Sequence, residues 1–278
     1  MMTKIFCVVN DEVKEGSELK KEHGVSFWIE MQHTNVLFDT GQSPEVLSHN
    51  LQVLGLIPIN IDALVFSHAH YDHTGGVAAI FPERTTIPLY ANSDLFKARY
   101  SSKDDVYKSI GMTMKEADLS HYFYLELSDD PVEVKPGLWT TGTILERPER
   151  MGISKHHMVH TPAGWEHDPY QDDISLVLKT SAGNVLICGC CHAGILNTLY
   201  HTEKVFGGPI IGVIGGTHLI SAEDQYLDHI IDVFHDRYQD CNFYLNHCTG
   251  KNAMDRLVEN LGDRTQMFPA GSAVEFPE

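Results

Sequence analysis

Short apolar runs closed by Asn, Asp or Gly recur along the chain. The runs KIFCVVN, VSFWIEM and NVLFDTG are rich in β-branched and aromatic residues and read as strands ended by turns. In SPEVLSHNLQVLGL the apolar spacing becomes helical, with Ser43 as N-cap and Pro44 at the first helical position. IDALVFS then reads as a buried strand. Further strands are predicted at TIPLYA, GLWTTG, ISLVLKT, NVLICG, PIIGVIGG and NFYLNH, with a helix over AEDQYLDHIIDVFHDRY. This alternation predicts an α/β fold.

Two polar segments break the pattern. Residues 92–130 are irregularly charged and read as a helical insertion or lid. Residues 146–173 read as a long loop, a place where function concentrates. No repeat or linker divides the 278 residues, so the expectation is one domain over 1–278.

The sequence SHAHYDHTGG changes the picture from architecture to chemistry. Side chains alternate along an extended segment, so His68 and His70 point the same way and can grip one ion. Asp72 and His73 follow at the turn and can face a second ion, while Gly75 and Gly76 permit close backbone approach. Imidazole and carboxylate suit zinc, manganese or iron. The motif supplies too few ligands alone. Further histidines follow apolar strands at His192 (CGCCHAG), His218 (GGTHL) and His247 (NHCTG). A single histidine of this kind is ordinarily structural, but together with HxHxDH they point to convergence.

Composition narrows the partners. The formal charge of -18, without a basic run interleaved with aromatics, disfavours nucleic acid. No stretch approaches the roughly 18 apolar residues of a membrane helix, and the amino terminus lacks a secretory pattern, so a soluble, cytoplasmic protein is expected. The six cysteines (Cys7, Cys188, Cys190, Cys191, Cys241, Cys248) then read as reduced thiols or metal-site neighbours.

These motifs resemble the metallo-β-lactamase superfamily. EHGVSFWIE, VLFDTGQS, CGCCHAGILNT, GGTHL and HCTG look like a branch of it that contains a pterin-condensing synthase. The resemblance implies an αββα sandwich with a dinuclear site between its sheets. It implies that His68, His70 and His192 hold one divalent ion, and that Asp72, His73 and His247 hold the other. Zinc is the first expectation for both, and iron or manganese would fit the same ligands. Asp72 and His218 are the candidate catalytic residues.

One departure stands out. Where the superfamily has Gly-Asp, its aspartate bridging both metals, this chain has Gly189-Cys190. Either Cys190 supplies a thiolate, or no protein group bridges, or an acid such as Asp172 or Asp173 does. Cys191 is expected to pack. Asp39 in LFDTG is expected to orient a ligand histidine, and Glu22 and His23 of the EHG motif to line the site. Arg147, Arg150, Lys155, His156 and His157 are candidates to hold an anionic substrate group.

Two such ions lower the pKa of water to about 7 and polarise a bond under attack. The leading expectation is therefore hydrolysis of an ester, phosphoester or related bond in a small molecule. The alternatives are a pterin-condensing transferase, with a phosphorylated or pterin-like substrate, and a non-catalytic ligand sensor.

Overall fold

The computed structural model describes residues 2–81, 86–104 and 106–278. Two seven-stranded sheets face each other. The first runs in the order Ala273–Pro277, Met2–Val9, Ser26–Met31, Thr34–Phe38, Ala63–Val65, Ile87–Ala91 and Phe123–Leu127. The second runs Thr265–Met267, Asn242–Leu245, Ile210–Gly215, Asn184–Cys188, Leu176–Lys179, Leu138–Thr140 and Glu133–Lys135.

The alternation of side chains explains why the central strands are apolar throughout. In the strand Asn184–Cys188, Val185 and Ile187 join Phe27, Phe38 and Ile214 between the sheets. Leu186 and Cys188 point the other way and pack with Leu199, Ile230 and Leu257. Those three come from the helices Ile195–Phe206, Asp224–Arg237 and Lys251–Leu261. On the far face of the first sheet, Leu37, Leu64 and Leu89 meet Leu47 and Leu51. The result is helix, sheet, sheet, helix, the expected αββα sandwich. The helix Pro44–Leu54 starts and stops as its sequence indicates: Ser43 accepts from the Val46 amide, and Gly55 closes it at φ 71°.

The expectation of a helical insertion over residues 92–130 is corrected. Among its described residues the only helix is the four-residue Glu116–Leu119, whereas Arg99–Lys103 and Val106–Ser109 form a hairpin. That hairpin pairs with His157–Thr161, itself paired with Gly164–His167, in a separate four-stranded sheet. The residues of the second polar segment are thus partly strand as well. Aromatic packing across the strands favours this arrangement over a helix. Tyr107 stacks on Trp165 at 3.8 Å, and Tyr100 meets the same indole edge-on at 5.0 Å. No helix among the described residues is long and apolar enough to cross a membrane.

Candidate metal centre

Each strand that leads to a histidine runs parallel to a neighbour in its own sheet, one in the first sheet and three adjacent ones in the second, and their carboxyl ends gather at one edge of the sandwich. Ala63–Val65 leads to His68, Asn184–Cys188 to Cys190 and His192, Ile210–Gly215 to His218, and Asn242–Leu245 to His247. Gly189 allows the two sheets to meet there. A Cβ on it would lie 2.1 Å from Ser67 Oγ and 2.8 Å from Asp39 Oδ2.

Two groups of donors converge as the ligand assignment requires. His68, His70 and His192 bring one donor atom each to within 4.8 Å of one another, and so do Asp72, His73 and His247. His68 Nε2 and His70 Nδ1 are 2.9 Å apart. Asp72 Oδ2 lies 3.6 Å from both His73 Nε2 and His247 Nε2.

The outer ring nitrogens are held by protein acceptors. Gly152 O accepts from His192 Nδ1 at 2.8 Å, Asp11 Oδ2 from His247 Nδ1 at 2.7 Å, and Asp39 Oδ2 from His73 Nδ1 at 2.6 Å. Ser67 Oγ, which donates to Asp39, accepts from His68 Nδ1 at 2.8 Å. These bonds fix the tautomer and turn a lone pair inward, the usual preparation of a metal-ligating imidazole. Nε2 of His70, His192 and His247 is buried without a hydrogen-bond partner among the described residues. Unpartnered buried nitrogens are costly, and a cation would satisfy them.

Electrostatics set the two donor groups apart. Burial holds His68, His70 and His192 well below the usual histidine range and thus neutral. Burial alone would raise the Asp72 carboxyl, but His73, His247 and His70 outweigh it and hold it at about 2. Burial also opposes protonation of His247, yet Cys248, Asp11 and Asp72 together raise it to about 9, so an ion bound there would displace a proton from its Nε2.

Cys190 Sγ lies 3.2 Å from His73 Nε2 and groups with His68 and His73. The alternative acids are engaged elsewhere. Asp172 Oδ2 accepts the Ala69 amide at 2.8 Å and Asp173 Oδ2 the Ala193 amide at 2.7 Å, each holding backbone beside a candidate ligand, between His68 and His70 and next to His192. Burial raises Asp173 to about 7. Asp172 Oδ1 also pairs with the buried Arg99 at 2.7 Å, and Asp168 flanks the same guanidinium at 3.1 Å.

A cleft of about 1640 Å³ opens over the centre, lined by His70, Asp72, Cys190, His192, His218 and His247 among others. His23 and Lys155 line it, as do His156 and His157. His23 bonds Asp11 at 2.8 Å, and its Nε2 lies 3.4 Å from Asp72 Oδ2. His218 stands 4.3 Å from His192, ring to ring.

Three expectations for the cleft, Glu22, Arg147 and Arg150, are corrected. Glu22 does not line it. Its carboxylate accepts the Gln42 and Ser43 amides and the Ser43 hydroxyl, fixing the turn into a helix. Arg147 does not line it either, because its guanidinium is spent on the carbonyls of Ile144, Pro169 and Tyr170. Arg150 pairs with Glu223 at 3.4 Å and borders a smaller neighbouring pocket.

Two contributors were missed from sequence. Asp11 clamps His23 and His247, and Tyr170 stacks on His192 at 4.2 Å; Cys248, read as a reduced thiol or metal-site neighbour, stands beside Cys190. Asp11 follows the first strand, so the strand-end rule that found the histidines was the available signal.

Residues 20–193 match the family model described as the Metallo-beta-lactamase superfamily. The chain belongs to the metallo-beta-lactamase superfamily. The matched span contains HxHxDH, Cys190 and His192, while His218 and His247 lie beyond it. One relative is the 7,8-dihydropterin-6-methyl-4-(beta-D-ribofuranosyl)-aminobenzene-5'-phosphate synthase of Methanocaldococcus jannaschii, 28% identical over 98% of this chain and 96% of its own. An uncharacterized protein of the same organism is 31% identical over 86% of this chain and 88% of its own. Among solved structures, a metal-dependent hydrolase of the β-lactamase superfamily superimposes with a TM-score of 0.84, covering 99% of this chain and 100% of that one at 24% identity.

Proposed function

We propose that this superfamily member is a dinuclear metal-dependent hydrolase acting on an ester, phosphoester or related bond of a small molecule. One observation carries the reading: two adjoining donor groups, in each of which a buried, unpartnered Nε2 (His192 in one, His247 in the other) belongs to a ring whose Nδ1 is held by a protein acceptor. Two divalent ions, zinc foremost, would supply Lewis acidity and water activated near neutral pH. The chain's own part is positional. His68, His70 and His192 would hold one ion, and Asp72, His73 and His247 the other. Asp39 and Asp11 keep their imidazoles aimed. His218 faces the cleft beside His192 and is placed to touch a bound substrate. Lys155 is placed to meet an anionic group.

A second reading has its own support, the likeness to the synthase over nearly the whole of both chains. Under it the site condenses a dihydropterin with a ribofuranosylaminobenzene phosphate. The test is elemental analysis of wild type and His70→Ala, followed by turnover of phosphodiester and carboxylic ester panels beside the condensation assay. Hydrolysis that disappears with His70→Ala supports the first reading. Condensation without hydrolysis would replace it with the second, and binding without either would leave a sensor.

A further inference from the structure

The strand ends bring together a third donor group that the His/Asp assignment does not use. Cys190, His218 and Cys248 each offer a donor atom within 4.8 Å of the other two. They follow three adjacent parallel strands, so the topology itself makes the triangle. Cys190 and Cys248 are 3% and 6% exposed. Room for the second sulfur depends on Gly216, where a Cβ would sit 2.6 Å from Cys248 Sγ. Cys248 Sγ accepts the His218 amide at 3.3 Å and donates to the Cys190 carbonyl at 3.4 Å, a thiol proton that a bound cation would replace. His218 Nδ1 is buried without a partner among the described residues.

We infer that Cys190, His218 and Cys248 form a separate binding position for a thiophilic divalent cation, zinc by preference, with Cys190 as the corner shared with the His/Asp centre. Two sulfurs and one imidazole are a soft donor set that selects zinc over magnesium or manganese. All three residues line the cleft, so three protein donors leave a fourth position open to it, the arrangement of a catalytic rather than a closed structural zinc. Charge argues the same way. Asp72 is the only anionic side chain among His68, His70, His192, Asp72, His73 and His247, and deprotonated Cys190 and Cys248 offset the excess positive charge of bound cations. Cys190 Sγ, 3.2 Å from His73 Nε2, faces both groups at once.

The test is Co2+ titration of the full, metal-stripped chain, read by the thiolate-to-cobalt charge-transfer absorption and by metal content per chain. Wild type should develop the band. Cys248→Ser should lose about half of its intensity and one equivalent of metal, and Cys190→Ser/Cys248→Ser should lose the band entirely. His218→Gln, at a half-buried residue, repeats the loss of one equivalent without removing a sulfur and covers the case in which Cys248→Ser fails to fold. His70→Ala should keep the Cys248-dependent part of the band while metal content falls. A Cys248→Ser protein with the wild-type band and stoichiometry overturns the inference, as does Co2+ binding by wild type with no thiolate band. Failure of the hydrolase reading is separable, since it would leave the band and its Cys248 dependence in place.

Discussion

Asp39 accepts His73 Nδ1 on one carboxylate oxygen at 2.6 Å and the Ser67 amide on the other at 2.7 Å, so one fully buried side chain ties a proposed ligand histidine to the end of a neighbouring strand. An amide cannot accept at both oxygens. Asp39→Asn should therefore weaken the ion at Asp72, His73 and His247 by about 10- to 100-fold. Competition with a chelator measures this, and wild-type affinity in the variant would remove Asp39 from the site.

Arg99 is buried between Asp168 and Asp172. Removing the cation leaves two carboxylates in the interior without their partner. Arg99→Met should cost about 3–5 kcal/mol in urea unfolding. A loss below about 1 kcal/mol would show that the carboxylates are relieved by protonation or water.

Gly189→Ala tests the junction of the sheets. The added methyl meets Ser67 Oγ at 2.1 Å, and Ser67 cannot move without disturbing Asp39 and His68. Destabilisation of about 1–3 kcal/mol is expected, accompanied by reduced metal content. Loss of stability with full metal content would separate packing from ligand placement.

Burial lowers His157 to about 4, below the ordinary value near 6.5 that applies when the chain is unfolded. Between those values the unfolded chain binds the proton and the folded one does not, so folding stability falls as pH drops from about 6.5 to 4. His157→Phe should flatten that decline in the metal-free protein by up to one proton, about 3 kcal/mol at most across the window. Parallel wild-type and variant curves of unfolding free energy against pH would contradict the assignment.

The residues legible in the sequence were those whose signal is local or periodic. HxHxDH compresses four candidate ligands into six positions, and apolar strands announced His192 and His247. What stayed hidden depends on contacts made across the fold. Asp11 follows the end of a strand, as many turn aspartates do, and only its partners across the fold, His23 and His247, single it out. Glu22 looked like a site residue through its neighbour His23, yet its carboxylate turns toward Ser43. The strands Arg99–Lys103 and Val106–Ser109 are short and polar, and their reason for being strands is an indole some sixty residues away in the chain.

That small sheet gives the molecule a floor and a roof of separate origin. Ser101 and His157 reach the cleft from strands that, among the described residues, share no hydrogen-bonded ladder with either seven-stranded sheet. The roof is woven from two stretches of chain distant in sequence, neither of which is a complete sheet alone. A change of specificity by grafting must therefore transplant both stretches together, and it can do so while every proposed ligand stays where the sandwich put it.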